Sequence, residues 1–195
     1  MSLRLGIFGG TFDPVHLGHL ILAELTRGLL GLDRILFVPA RMSPHKRGAD
    51  ASPEHRFRMT GIAVKDNPHF EVSDVEIRRE GPSYTVDTLR SLRGKNPPDT
   101  EHYLLLGADS ARDLESWREH EELLDGSKVV ILGRPGTEDR ELPGAVASRA
   151  TVLSTPLIEI SSSEIRRRVR AGETIRYLVT EPVESYIRSQ GLYAS

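Results

Sequence analysis

Short apolar runs separated by stretches of helical spacing constrain this chain more than anything else in it. The clearest lie in residues 3–8, 34–39, 103–106 and 129–132. Runs rich in Leu, Ile, Val and Phe with little polar alternation suit strands buried on both faces. Between the first two, Leu17, Leu20, Ile21 and Leu25 recur at intervals of one, three and four, which predicts one face of a helix. Strand, helix and strand within ~35 residues make a βαβ unit, so the sheet is expected to be mostly parallel.

The same alternation continues to the end of the chain. Ser52-Pro53-Glu54 supplies a cap, a first-turn proline and an early acid for a helix running to about Lys65. Residues 70–77 alternate moderately and predict one or two short strands. Val86, Leu89 and Leu92 mark a helix after Pro82-Ser83-Tyr84-Thr85, and another runs from Gly107-Ala108-Asp109-Ser110 toward Trp117. Residues 137–150 read as irregular, and short strands are expected near 151–153 and 157–160. Ser161-Ser162-Ser163-Glu164 has capping-box spacing for a helix to about Arg170, and a last helix spans roughly 182–190. The expectation is a doubly wound α/β fold with helices on both faces of the sheet, forming one domain over residues 1–195.

Composition narrows the chemistry. The chain has 195 residues and no cysteine, which removes disulfides, thiolate zinc sites and thiol catalysis, and suits a reducing cytoplasm. A net charge of −2 does not advertise nucleic acid as a partner. No apolar run approaches the ~20 residues of a membrane span, so no membrane role is expected.

In doubly wound sheets, ligands sit beyond the carboxyl ends of the strands where the strand order reverses. Four polar clusters fall at expected strand ends: residues 9–19, 107–110, 133–136 and 161–168. The first, Gly9-Gly10-Thr11-Phe12-Asp13-Pro14-Val15-His16-Leu17-Gly18-His19, combines a glycine turn, a helix start and two histidines, a setting that favours an anion. The histidine pair also has the spacing of two metal ligands, but no third ligand stands nearby. Either histidine alone would pass for a cap or a core residue. Gly18 between them, costly in a helix by about 1 kcal/mol, argues for close approach of a ligand. No Walker-type phosphate loop, no Gly-x-Gly-x-x-Gly after the first strand and no Gly-x-Ser-x-Gly elbow is present.

Residues 10–19 resemble the signature of the nucleotidylyltransferase superfamily. Pro44-His45-Lys46, Ser83-Tyr84-Thr85-Val86-Asp87-Thr88-Leu89, Gly107-Ala108-Asp109, Trp117 and Ile160-Ser161-Ser162-Ser163-Glu164-Ile165-Arg166 extend the likeness along almost the whole chain. In that order they resemble bacterial nicotinate-nucleotide adenylyltransferases. The resemblance implies transfer of the adenylyl group of ATP to nicotinate mononucleotide in NAD biosynthesis, with Mg2+, in the cytoplasm. It implies catalytic roles for Thr11, His16, His19 and Lys46. ATP would also meet Gly9, Gly10, Gly18, Asp109, Ser162, Ser163 and Arg166. The mononucleotide would meet His45, Thr85, Trp117 and Arg134. Arg118 stands where the family often has a second aromatic residue, and it offers a charge partner for the nicotinate carboxylate. Transfer to another phosphate acceptor, or nucleotide binding without catalysis, are the competing readings. Oligomeric state is left open, a homo-oligomer included.

Overall fold

In a computed structural model, which describes residues 2–44, 48–133 and 142–194, the apolar runs form the middle of one sheet. The strands are β1 (Arg4–Gly10), β2 (Arg34–Pro39), β3 (Phe70–Val72), β4 (Glu101–Gly107), β5 (Lys128–Gly133) and β6 (Thr151–Ser154). Their spatial order is β3-β2-β1-β4-β5-β6, and every pairing is parallel. The helices are α1 (Leu17–Leu30), α2 (Pro53–Val64), α3 (Thr85–Arg93), α4 (Ala108–Arg112), α5 (His120–Gly126), α6 (Gly144–Ala147), α7 (Ser162–Arg170) and α8 (Glu181–Ser189). Among the described residues no helix is long and apolar enough to cross a membrane.

Successive strand residues feed two separate cores. Phe8, Phe37, Leu105 and Val130 pack with Ala23, Met59, Ile165 and Ile187 from α1, α2, α7 and α8. Their neighbours Ile7, Leu36, Leu104 and Ile131 pack with Leu89, Ala111, Leu123 and Val146 from α3, α4, α5 and α6. Burial on both sides explains why these strands carry no polar alternation. Each Val, Leu, Ile, Phe or Met among them stabilises the fold by about 1.5–3 kcal/mol relative to exposure.

Several local expectations hold for the reasons stated. Ser52 Oγ accepts the His55 N–H at 3.3 Å with Pro53 opening α2. Ser161 Oγ accepts the Glu164 N–H at 3.2 Å, while the Glu164 carboxylate turns to Arg167 and Arg168, so half the capping box forms. Gly31 ends α1 in the left-handed region at φ 60°.

Others change. Of the one or two short strands expected within 70–77, one forms, over Phe70–Val72; a turn follows, where the Glu76 carboxylate accepts the Thr88 hydroxyl at 2.6 Å. Residues 157–160 join no ladder; Ile158 lies against Gly18 and Ile160 packs on the first core, so their apolarity reports packing rather than pairing. Residues 144–147, read as irregular, form α6, and α5 has too few apolar residues to show a period. On α1, Ile21 and Leu25 are partly exposed, and Gly18, Ala23 and Thr26 are buried instead. Thr26 can face the core because its hydroxyl donates to the Leu22 carbonyl at 2.7 Å.

Strand order reverses between β1 and β4, with the chain winding outward in both directions from there. Phe8 pairs with Leu105, so the carboxyl ends of the two strands stand side by side. That edge is where a doubly wound sheet binds its ligand.

Candidate active site

The chain leaves β1 through a tightly constrained turn. Phe12 takes a left-handed φ of 50° and drops its ring edge-on against Phe8 and His19, with centroids at 5.8 and 5.0 Å. A Cβ on Gly10 would stand 2.9 Å from that ring, whereas one on Gly9 would meet open space. Gly10 therefore serves the turn, and Gly9 leaves room beside it.

Two buried charges hold this turn, and sequence reasoning missed both. The Asp13 carboxylate accepts the N–H groups of Asp50 at 2.8 Å and Ala51 at 3.1 Å, and the Tyr193 hydroxyl at 2.7 Å. Arg56, only 1% exposed, donates to the carbonyls of Thr11 at 2.7 Å, Ala40 at 2.6 Å, Arg41 at 3.0 Å and Ala51 at 3.2 Å. Burial lowers the Arg56 pKa from its ordinary value, an effect that Asp13 partly offsets. Asp13 lies inside the quoted turn, so its position was legible; its partners were not. Nothing in the sequence separates Arg56 from the many other arginines.

His16 caps α1, and its N–H donates to His19 Nδ1 at 3.2 Å. With Nδ1 accepting, the proton of neutral His19 resides on Nε2. The two imidazoles stack at 3.6 Å. His16 is buried, and its Nδ1 has no hydrogen-bond partner. Burial lowers its pKa to about 4, so it is neutral at pH 7. A Cβ on Gly18 would lie 3.0 Å from His16 Nδ1 and 3.3 Å from Ile158 Cγ2. The glycine thus admits the imidazole and Ile158, a different reason from the ligand approach the sequence suggested.

Helix α7 is fastened to the same turn. Ser162 Oγ donates to the Pro14 carbonyl and Arg166 Nη1 to the Asp13 carbonyl, both at 2.8 Å. Arg166 Nε also lies 3.3 Å from Asp50 Oδ2. Ser163, next along, is exposed. The positive end of a nine-residue helix is therefore fixed beside the histidines.

The opposite side of the sheet carries a small cavity whose lining includes Ser83, Tyr84, Thr85, Trp117 and Arg118. Thr85 opens α3, and Trp117 packs on the second core. Beneath them, Ser83 Oγ accepts the Arg41 N–H at 3.0 Å. Burial pushes the neighbouring Glu76 carboxyl upward. The Arg118 guanidinium lies 5.0 Å from the centre of the Tyr84 ring and shares its charge with Glu119 at 3.1 Å and Asp87 at 3.7 Å. Asp109 stands in the first turn of α4, exposed and paired with Arg112. His45, Lys46 and Arg134 lie outside the described residues. The structure thus gathers Thr11, His16, His19, Ser162 and Arg166 on one side of the sheet, and Thr85 with Trp117 on the other. No three His, Asp or Glu among the described residues group as metal ligands.

A family model described as cytidylyltransferase-like matches residues 7–168. The chain is 46% identical, over 97% of its length, to the probable nicotinate-nucleotide adenylyltransferase of Thermomicrobium roseum, and spans 91% of that protein. The corresponding protein of Thermus thermophilus is 47% identical, with 98% of this chain and all of the relative covered. The chain belongs to the nicotinate-nucleotide adenylyltransferase family. The solved nicotinic acid mononucleotide adenylyltransferase of Plasmodium falciparum, complexed with NaAD, superposes with a TM-score of 0.80 at 22% identity over 98% of each chain. At that identity the likeness speaks for the fold alone.

For this member of the adenylyltransferase family, the burial of His16 has a measurable consequence. Its folded pKa of about 4 lies below the unfolded value, so the unfolded chain binds more protons between the two. Stability is expected to fall as pH drops from about 6.5 to 4, by roughly 3 kcal/mol at most from this group. Urea unfolding at pH 7 and pH 4.5 should show a smaller loss in His16→Asn, which keeps a good cap. Equal losses in both proteins would assign the effect elsewhere.

Proposed function

We propose that the protein transfers the adenylyl group of ATP to nicotinate mononucleotide, releasing pyrophosphate and forming nicotinate adenine dinucleotide, a step of NAD biosynthesis. The observation that carries this reading is the stacked His16–His19 pair beside the strand-order reversal, with an aromatic-walled cavity across the sheet. The names of the relatives agree with it.

The mononucleotide's own phosphate is the nucleophile. It attacks the α-phosphorus of ATP, and the bond to the bridging oxygen of the β-phosphate breaks. The nucleophile is already an anion, so no general base is required. Catalysis rests on aligning two charged reactants and on stabilising charge at the α-phosphate and the departing pyrophosphate. Gly9, Gly10 and Thr11 form the floor for the ATP phosphates, Gly18 gives room to the His16 ring behind them, His19 offers Nε2–H, and His16 gains a proton-sharing partner when a phosphate arrives. Ser162, Ser163 and Arg166, at the start of α7, close the other side, with Lys46 as a further cation. Asp109 would take the ribose of ATP or its metal. The donor set suits Mg2+ carried by the triphosphate and water rather than caged by the protein. That ion supplies charge neutralisation on the phosphates.

Trp117 offers a plane for the pyridine ring, and the backbone at the start of α3, around Thr85, offers N–H donors for its carboxylate. His45 and Arg134 complete the assignment for the mononucleotide. Pyrophosphate release from ATP should be fastest with nicotinate mononucleotide when nicotinamide mononucleotide and phosphopantetheine are compared in parallel. Equal or faster release with either alternative overturns the substrate assignment.

A further inference from the structure

The phosphate-binding turn is secured from the far end of the chain. Tyr193, 180 positions after Asp13, donates its hydroxyl to Asp13 Oδ1 at 2.7 Å. The phenol is buried, and burial together with the adjacent carboxylate pushes its pKa well above the ordinary value. It therefore remains a donor across the working pH range. The approach to this position is unusual: after α8, Gly191 and Tyr193 both adopt left-handed backbone, at φ 61° and 64°. For a tyrosine that geometry costs about 1–2 kcal/mol, and it persists where surrounding contacts hold it.

Asp13 is the point where distant segments meet. Its carboxylate holds residues 50 and 51 through their N–H groups, and its carbonyl takes Arg166. The next carbonyl, of Pro14, takes Ser162, and His16 follows two residues later. An apolar ring would fill the same part of the core, but only a hydroxyl reaches the carboxylate. The cavity bearing Thr85 and Trp117 shares none of these groups.

We propose that Tyr193 is a positioning residue for the ATP half of the site, acting through Asp13 on the turn that presents His16 and His19 and on the start of α7. The inference rests on the reading above that this turn receives the ATP phosphates. Its consequence is selective: loss of the hydroxyl affects ATP and leaves the mononucleotide alone.

Tyr193→Phe removes one oxygen and keeps the packing. With ATP alone, calorimetric titration of the variant should show a dissociation constant raised roughly tenfold, the scale of a hydrogen bond to a charged group. In steady state the KM for ATP should rise similarly, with the KM for nicotinate mononucleotide changing less than twofold. A thermal melt establishes that the variant is folded at the assay temperature. Unchanged ATP affinity overturns the proposal, as does a parallel rise in both KM values. So does a fall in maximal rate alone, which would report only a smaller folded fraction. Wild-type protein that binds ATP but does not turn over nicotinate mononucleotide overturns the assigned reaction and leaves the ATP-affinity test of Tyr193 intact. Wild-type protein that fails to bind ATP overturns both.

Discussion

His19→Ala is expected to lower turnover by about a hundredfold or more while leaving the fold intact, the usual result of deleting a donor to developing charge. The geometry makes the two parts of this expectation separable. His19 Nδ1 accepts the His16 N–H, so the ring's other nitrogen, Nε2, carries its proton as a donor. Losing the inward bond costs about 1 kcal/mol at the start of α1, since a cap interaction is lost. Losing Nε2–H removes the donor proposed for the reacting phosphate. Steady-state kinetics beside a thermal melt would distinguish these effects. Near-normal turnover in a folded variant would falsify the role given to His19.

Arg56→Met should destabilise the protein by about 3 kcal/mol or more, because buried carbonyls then lose a charged donor. The residue is nearly inaccessible, and four carbonyls from residues 11, 40, 41 and 51 converge on one guanidinium. Arg56→Lys should recover little, since an ammonium lacks the planar fork that spans them. Urea unfolding measures the loss. A change below 1 kcal/mol would mean that water replaces the guanidinium and that the clamp is dispensable.

The central strands were legible because burial on two faces leaves an unambiguous record of Leu, Ile, Val and Phe in the chain. Edges and short helices were not. Residues 157–160 are apolar because Ile158 rests against Gly18 and Ile160 on the core, not because they pair in the sheet. Leu20 packs on the core as expected, but Ile21 and Leu25 stand partly exposed while Gly18 and Ala23 are buried, Gly18 making room for His16 and Ile158. In the site, the glycines and histidines of the first turn were readable from their spacing. Arg56, the role of Asp13 and the reach of Tyr193 were not, since each depends on which distant segments the fold brings together. A lone arginine in an arginine-rich chain carries no mark of burial.

The clamp made by Arg56 also bears on how such a chain can diversify. One side chain grips residues 40 and 41 on one side of a connection and residue 51 on the other. That side chain therefore helps to set the spacing of the two attachment points. Lengthening a connection costs only about 0.6 kcal/mol for each doubling. Asp50, just before the second attachment point, is itself bound to Asp13 and Arg166, so new side chains or a longer connection can be tried ahead of it while the turn keeps its shape. The anchor that fixes the turn belongs to a different element, α2, from any side chain tried there.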